Sequence, residues 1–219
     1  MVKHLQNIQQ IGHRKILIMN SKPISLDSLL NYSDEMFNEV ATEINKVIRK
    51  VKPVYIGKNS NGQLDLVDEK NKEWNAWVLV DDTVYGDIDY YKPRSWNAMA
   101  LRLFPKLVKF INNLPIEGLG RAMIMSIDAN KEVTTHIDNQ FISEQEVPDY
   151  DRLLNISFGN KKRLYMYNPD TNTKKYFEGK INWIDVSDYH GVDPSADFTY
   201  SVRVDAKLNW CRVDIFGLL

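Results

Sequence analysis

The sequence predicts a mainly β protein with flanking helices, an α+β chain built around a double-stranded β-helix, or jelly roll. From residue 121 onward, short apolar runs separated by Gly, Asn, Asp and Pro occupy 122–127, 133–138, 153–158, 164–167, 174–177, 181–186, 198–205 and 210–216. No helical stretch lies between these runs, as a parallel sheet would require, so eight antiparallel strands in two facing sheets are expected. Before that point apolar residues recur at helical spacing twice, which places two helices on one outer face of the sheets.

In chain order, 15–19 reads as a short strand and 25–50 as a long helix. Leu29, Leu30, Met36, Phe37, Val40, Ile44 and Ile48 form its apolar stripe, and Ser25 or Asp27 is its candidate cap. Extended pieces at 54–56 and 64–66 flank the turn-rich Asn59-Ser60-Asn61-Gly62 and predict a hairpin. A strand follows at 74–80. A second helix over 95–113 carries Met99, Leu101, Leu103, Phe104, Leu107, Phe110 and Ile111, and Leu114-Pro115 ends it. Turns at Gly159-Asn160 and Asn168-Pro169-Asp170 separate later strands. The expectation is one domain over 1–219, with 1–120 as mixed α/β support and 121–219 as the jelly-roll core.

Composition bounds the function. Hydrophobic residues make up 43% of the 219-residue chain, enough to bury a core without disulfides. Lys plus Arg (28) balance Asp plus Glu (29), so no bulk field draws polyanions, and a nucleic-acid partner is not indicated. The single cysteine, Cys211, sits in apolar Trp210-Cys211-Arg212-Val213 and reads as an inert thiol. No apolar run is long enough for a membrane span, and the polar stretch from Gln6 to Gln10 does not suit a signal peptide. A cytoplasmic location is expected; oligomeric state is not legible.

Of four histidines, two fall in the β-region. His136 precedes Asp138 by two positions, and at strand periodicity both project from one face. His190, in Asp188-Tyr189-His190-Gly191, follows the Trp183-Ile184-Asp185-Val186 run, where a jelly roll can return it to the same rim. Two imidazoles and one carboxylate are the facial triad of non-haem iron(II) oxygenases. Asp188 and Asp185 compete with Asp138 for the carboxylate position. Three ligands on one face of an octahedral ion leave room for a bidentate 2-oxo acid and O2. The far carboxylate of 2-oxoglutarate then needs a cation, and Arg203, in Ser201-Val202-Arg203-Val204-Asp205, offers a fixed donor fork. Arg203 is alternatively a same-face salt-bridge partner of Asp205, and Arg212-Val213-Asp214 repeats that pattern. Asn155 alternates with Leu154 and Ile156, and Tyr165 with Leu164 and Met166. Each is a candidate polar contact to the cosubstrate or part of a solvated sheet face. The acidic segment 139–151 reads as a lid or a solvated loop, and Gly118-Leu119-Gly120 is too short for a phosphate cradle.

His136-Ile137-Asp138, then His190, then Arg203 resembles the 2-oxoglutarate/Fe(II)-dependent oxygenase superfamily, over roughly residues 121–216. Arg152-Leu153-Leu154-Asn155, 183–190 and 201–205 look most like the aspartyl, asparaginyl and prolyl hydroxylase branch. The resemblance implies an oxidoreductase that binds Fe(II) through His136, Asp138 and His190 and takes 2-oxoglutarate as cosubstrate. It implies hydroxylation of a protein side chain or small metabolite, with succinate and CO2 as products. Asp138 departs from aspartyl-hydroxylase-like members that lack the metal carboxylate, and from halogenating variants. Two rivals remain at this level: a cupin-like metalloenzyme that uses no 2-oxoglutarate, and a non-catalytic jelly-roll binding module.

Overall fold

Period-two alternation in the second half of the chain closes into two facing sheets, with helices on one of them. The computed structural model describes residues 24–27, 30, 32–51, 57–58, 64–65, 75–81, 95–137, 152–159, 161–185 and 188–208. The elements run β1 (Ile24–Ser25), α1 (Asp34–Ile48), β2 (Gly57–Lys58), β3 (Leu64–Asp65), β4 (Asn75–Val78), α2 (Ala98–Leu103), α3 (Pro105–Asn112) and β5 (Ile116–Glu117). Then come β6 (Ala122–Ile127), β7 (Val133–His136), β8 (Arg152–Ile156), β9 (Arg163–Asn168) and β10 (Thr173–Tyr176). The last are β11 (Ile181–Asp185), β12 (His190–Asp193), β13 (Thr199–Asp205) and β14 (Lys207–Leu208).

A major sheet has the order β1-β11-β8-β13-β6-β4 and a minor sheet the order β10-β9-β12-β7. Every pairing in both is antiparallel. Strands β6 to β13 are thus shared between two sheets, the jelly roll expected from the alternation. One of these eight differs from expectation. It is β12, whose short His190-Gly191-Val192-Asp193 run looks like a turn in sequence, whereas the runs at 210–216 and 15–19 lie outside the described residues. The 57–58/64–65 pair is antiparallel as a hairpin requires, with its first strand just after the expected 54–56, which lies outside the described residues.

Two helix boundaries correct the sequence reading. The first helix begins at Asp34, capped by Ser33, whose hydroxyl accepts from the Met36 N–H at 3.2 Å. Ser25 belongs to β1, and the Asp27 carboxylate accepts instead from the N–H groups of Lys180 and Ile181, at 2.7 and 2.8 Å, pinning the entry to β11. The second helix breaks in two because Pro105 lacks an N–H and disfavours helical backbone at Phe104, which sits at φ −128°, ψ 44°.

The outer face of the major sheet carries the main core. Ile124, Leu154, Ile156, Val202 and Val204 meet Phe37, Val40 and Ile44 of α1 and Leu107, Phe110 and Ile111 of α3. Phe158 packs between Phe37 and Phe110, with ring centroids 5.2 and 5.1 Å away. Such pairs contribute about 0.5–1.5 kcal/mol each beyond area burial. Alternation then turns Leu153 and Asn155, and Ser201, Arg203 and Asp205, toward the minor sheet. There Leu153 and Ile184 close on Met166 and Phe177, and Ile127 on Val133 and Val192. Among the described residues no helix is long and apolar enough to cross a membrane.

Candidate active site

Strands β7 and β12 bring the two histidines together. His190 pairs with His136, but Val192 pairs with Val133, so β7 spends three positions where β12 spends two. This bulge reverses the alternation, so Val133 and His136 both line the cavity between the sheets, opposite His190 and Val192. The imidazole centroids lie 4.5 Å apart at 53°. Each ring is set in the same way: His136 Nδ1 meets the Thr134 carbonyl at 2.7 Å, and His190 Nδ1 meets the Asp188 carbonyl at 2.8 Å. A carbonyl can only accept, so Nδ1 carries the proton and the lone pair is on Nε2, the tautomer that ligates metals. Gly191 makes the approach possible: a Cβ there would meet the Tyr165 hydroxyl at 2.5 Å and the Val133 carbonyl oxygen at 2.9 Å.

The cavity, ≈ 130 Å³, is walled by apolar side chains including Met125, Leu153, Leu164 and Ile184. Its polar lining is His136, His190, Asn155, Ser201, Arg203 and Lys162. Arg203 and Asn155 are direct cross-strand neighbours. The salt bridge foreseen for Arg203 exists: its Nε donates to Asp205 Oδ1 at 2.8 Å, and Arg121 Nε donates to Asp205 Oδ2 at 2.5 Å. Burial pushes the Asp205 carboxyl up, but the two guanidiniums outweigh burial and hold it below the usual carboxylate range. The bridge engages Nε while the guanidinium lines the cavity, so salt bridge and ligand anchor are compatible roles.

Arg203, Asn155, His136 and His190 therefore share one cavity. Tyr165 does not line it. Because Leu164 faces inward, Tyr165 faces outward, where its hydroxyl lies 2.8 Å from Thr135 Oγ1 and Lys174 covers its ring. Asp138 and the 139–151 segment lie outside the described residues, as do Arg212 and Cys211. Among the described residues no three His, Cys, Asp or Glu side chains cluster closely enough to hold a metal, so Asp188 does not complete a triad with the histidines. Ser201 and Lys162 are additions to the sequence reading. Lys162 is buried, and burial, with the charge of Arg203 adding, lowers its ammonium to about 7. Its signal was present: 162, 164 and 166 share a strand face, and Leu164 faces the cavity.

Along nearly its whole length the chain is similar to a solved prolyl hydroxylase from Trichoplax adhaerens, in complex with a hypoxia inducible factor oxygen degradation domain peptide fragment. The match covers 96% of this chain and 94% of that one, at 13% identity and a TM-score of 0.51. The chain has the fold of that prolyl hydroxylase. A Pseudomonas putida prolyl-4-hydroxylase matches at 11% identity, TM-score 0.46, over 89% and 95% of the two chains. An oxidoreductase of the 2OG-Fe(II) oxygenase family from Burkholderia pseudomallei matches at 11%, TM-score 0.43, over 77% and 80%. No family model and no curated protein sequence matches the chain.

Proposed function

We propose that the chain is an Fe(II)- and 2-oxoglutarate-dependent oxygenase that hydroxylates a protein side chain or a small metabolite. One observation carries the reading: two imidazoles in the Nε2-ligating tautomer share a largely apolar cavity with the guanidinium of Arg203. The donor set suits the metal, since imidazole nitrogens and a carboxylate match iron(II). His136 and His190 would hold it, with Asp138 as the third ligand. Asp138 is the candidate because it stands two positions from His136, whereas Asp188 forms no cluster with the histidine pair. Bound iron(II) supplies oxygen activation, which couples conversion of 2-oxoglutarate to succinate and CO2 with hydroxylation of a C–H bond.

The protein's own groups do the rest. Carbonyls of Thr134 and Asp188 fix the imidazole tautomers, and Arg203, oriented by Asp205, binds the far carboxylate of 2-oxoglutarate. Asn155 and Ser201 add polar contacts beside it. The apolar wall lowers the local dielectric and thereby strengthens each of these interactions. The Trichoplax hydroxylase holds a peptide, so peptides are the first substrate class to try, followed by free amino acids.

The test is succinate formation from 2-oxoglutarate by purified protein with iron(II) and O2, alone and with candidate substrates. Iron-dependent succinate that disappears in Arg203→Ala supports the reading. Succinate formation untouched by Arg203→Ala would remove Arg203 from the cosubstrate seat, and substrate turnover without any succinate would indicate a metalloenzyme that does not use the 2-oxo acid. A sharper expectation concerns the third ligand: Asp138→Ala weakens iron(II) binding by about 10-fold or more, while Asp188→Ala leaves it within about 2-fold. Anaerobic calorimetric titration decides between them, and the reverse ranking would make Asp188 the ligand.

A further inference from the structure

We propose that Tyr165 is a positioning residue for the iron site: its hydroxyl reaches from β9 across β12 to β7 and fixes the bulge that aims His136 at His190. The inference rests on the iron site of the oxygenase reading above, but it concerns the outer face of the minor sheet, on the other side of the strands from the cavity. Tyr165 is the direct cross-strand neighbour of Gly191, the residue after His190. A Cβ on Gly191 would lie 2.5 Å from the Tyr165 hydroxyl, so the phenol passes over β12 at a residue with no side chain to block it. Beyond Gly191 the hydroxyl meets Thr135 Oγ1 at 2.8 Å. Thr135 stands between Thr134, whose carbonyl holds the His136 ring through Nδ1, and His136 itself. One phenol therefore grips each histidine-bearing strand at the position next to its ligand.

The bond acts on β7 rather than on Tyr165. The ring is fixed independently: it is 3% exposed, Lys174 Nζ covers it at 4.1 Å from the centroid, and Tyr176 stands edge-on at 6.0 Å. Lys174 is itself tied to Asp193 of β12 at 2.6 Å, so this cover is anchored on the strand that carries His190. By contrast β7 is four residues long, and among the described residues it pairs with β12 alone, through two register positions separated by the bulge. A bulge leaves a residue unpaired and the ladder locally disrupted, so backbone hydrogen bonds by themselves define the His136 end of β7 poorly. The alternative is a buried phenol that merely finds a partner for its hydroxyl. It predicts no effect on the metal when the bond to Thr135 is removed.

The experiment titrates the full chain with iron(II) by anaerobic calorimetry and with cobalt(II), whose visible absorption reads both affinity and coordination geometry. Tyr165→Phe keeps the ring and its packing, and Thr135→Val keeps the β-branched shape at an exposed position. Each is expected to weaken both metals by about 3- to 10-fold, below the 10- to 100-fold of partners that bond the ligands directly, and to shift the cobalt band. The double variant is expected to lose no more than either single one, because both remove the same bond. Thr135→Ser, which keeps the hydroxyl, is expected to bind as wild type does. Melting temperatures should stay within about 4 °C of wild type, so that the loss is not unfolding. Wild-type affinity with an unshifted band in Thr135→Val, or losses that multiply in the double variant, overturns the positioning role, and the first of these stands even where Tyr165→Phe fails to fold. Wild type that binds metal through His136 and His190 but takes no 2-oxoglutarate overturns the oxygenase reading and leaves the positioning role in place. Wild type that binds neither metal overturns both.

Discussion

Replacing His136 or His190 with alanine is expected to lower iron(II) affinity by at least ~100-fold, since even partners one shell out from a metal cost 10- to 100-fold when removed. The two rings stand 4.5 Å apart, and each is fixed through Nδ1 by a backbone carbonyl of its own strand segment. Loss of either ring leaves a pocket that cannot present two Nε2 donors. The effect belongs to binding more than to folding for His136, which is half-exposed at the end of β7. His190 is 8% exposed, so its alanine variant also leaves a small void beneath β12. Metal titration together with a thermal melt separates the two contributions. Wild-type affinity in either variant would remove that histidine from the site.

The next largest effect is expected at Asp205. Its side chain is 7% exposed and receives Arg203 and Arg121, so Asp205→Asn keeps the shape but strips two guanidiniums of their shared counter-charge. Removing one member of a buried ionic cluster costs about 3–5 kcal/mol, and the part-exposed arginines put this case near 3. Denaturant unfolding measures that cost, and 2-oxoglutarate affinity should fall with it because Arg203 loses its orientation. The pH dependence has a definite sign. With its folded carboxyl held below the ordinary 3.8, Asp205 contributes stability above that value, lost as pH falls through the lower folded one. The variant should therefore show a shallower acid limb than wild type. An unchanged melt and an unchanged acid limb would mean that the cluster does not hold Arg203 in place.

Much of the fold was legible from apolar periodicity, because each strand of the major sheet is apolar on its outer face and reads plainly. The 122–127 run is β6 to the residue. What failed to read were features in which one residue overrides a pattern. Pro105 splits a helix whose apolar stripe continues across it, and Gly191 makes β12 resemble a turn although its neighbours face the cavity.

The site was legible as chemistry but not as geometry. Alternation shows that Asn155 opposes Leu154 and that Tyr165 opposes Leu164, yet it cannot say which face meets the cavity. In β8 the apolar pair packs under the helices, so the polar residue points inward. In β9 the apolar residues fill the space between the sheets, so Tyr165 points outward. Lys162 escaped for a related reason: in Lys161-Lys162-Arg163 three adjacent cations look like a solvated turn, and burial of the middle one follows only from the strand they begin. The bulge in β7, which aims His136 at His190, leaves no sequence mark that periodicity detects.

The most direct measurement is the visible absorption of the iron(II)-loaded protein as 2-oxoglutarate is added without oxygen. A 2-oxo acid chelating iron(II) held by His136 and His190 gives a metal-to-ligand charge-transfer band. That band should be present in wild type, absent in His190→Ala, and absent in Arg203→Ala at the same ligand concentration. Iron(II) and 2-oxoglutarate that both bind without producing the band would contradict the proposed site.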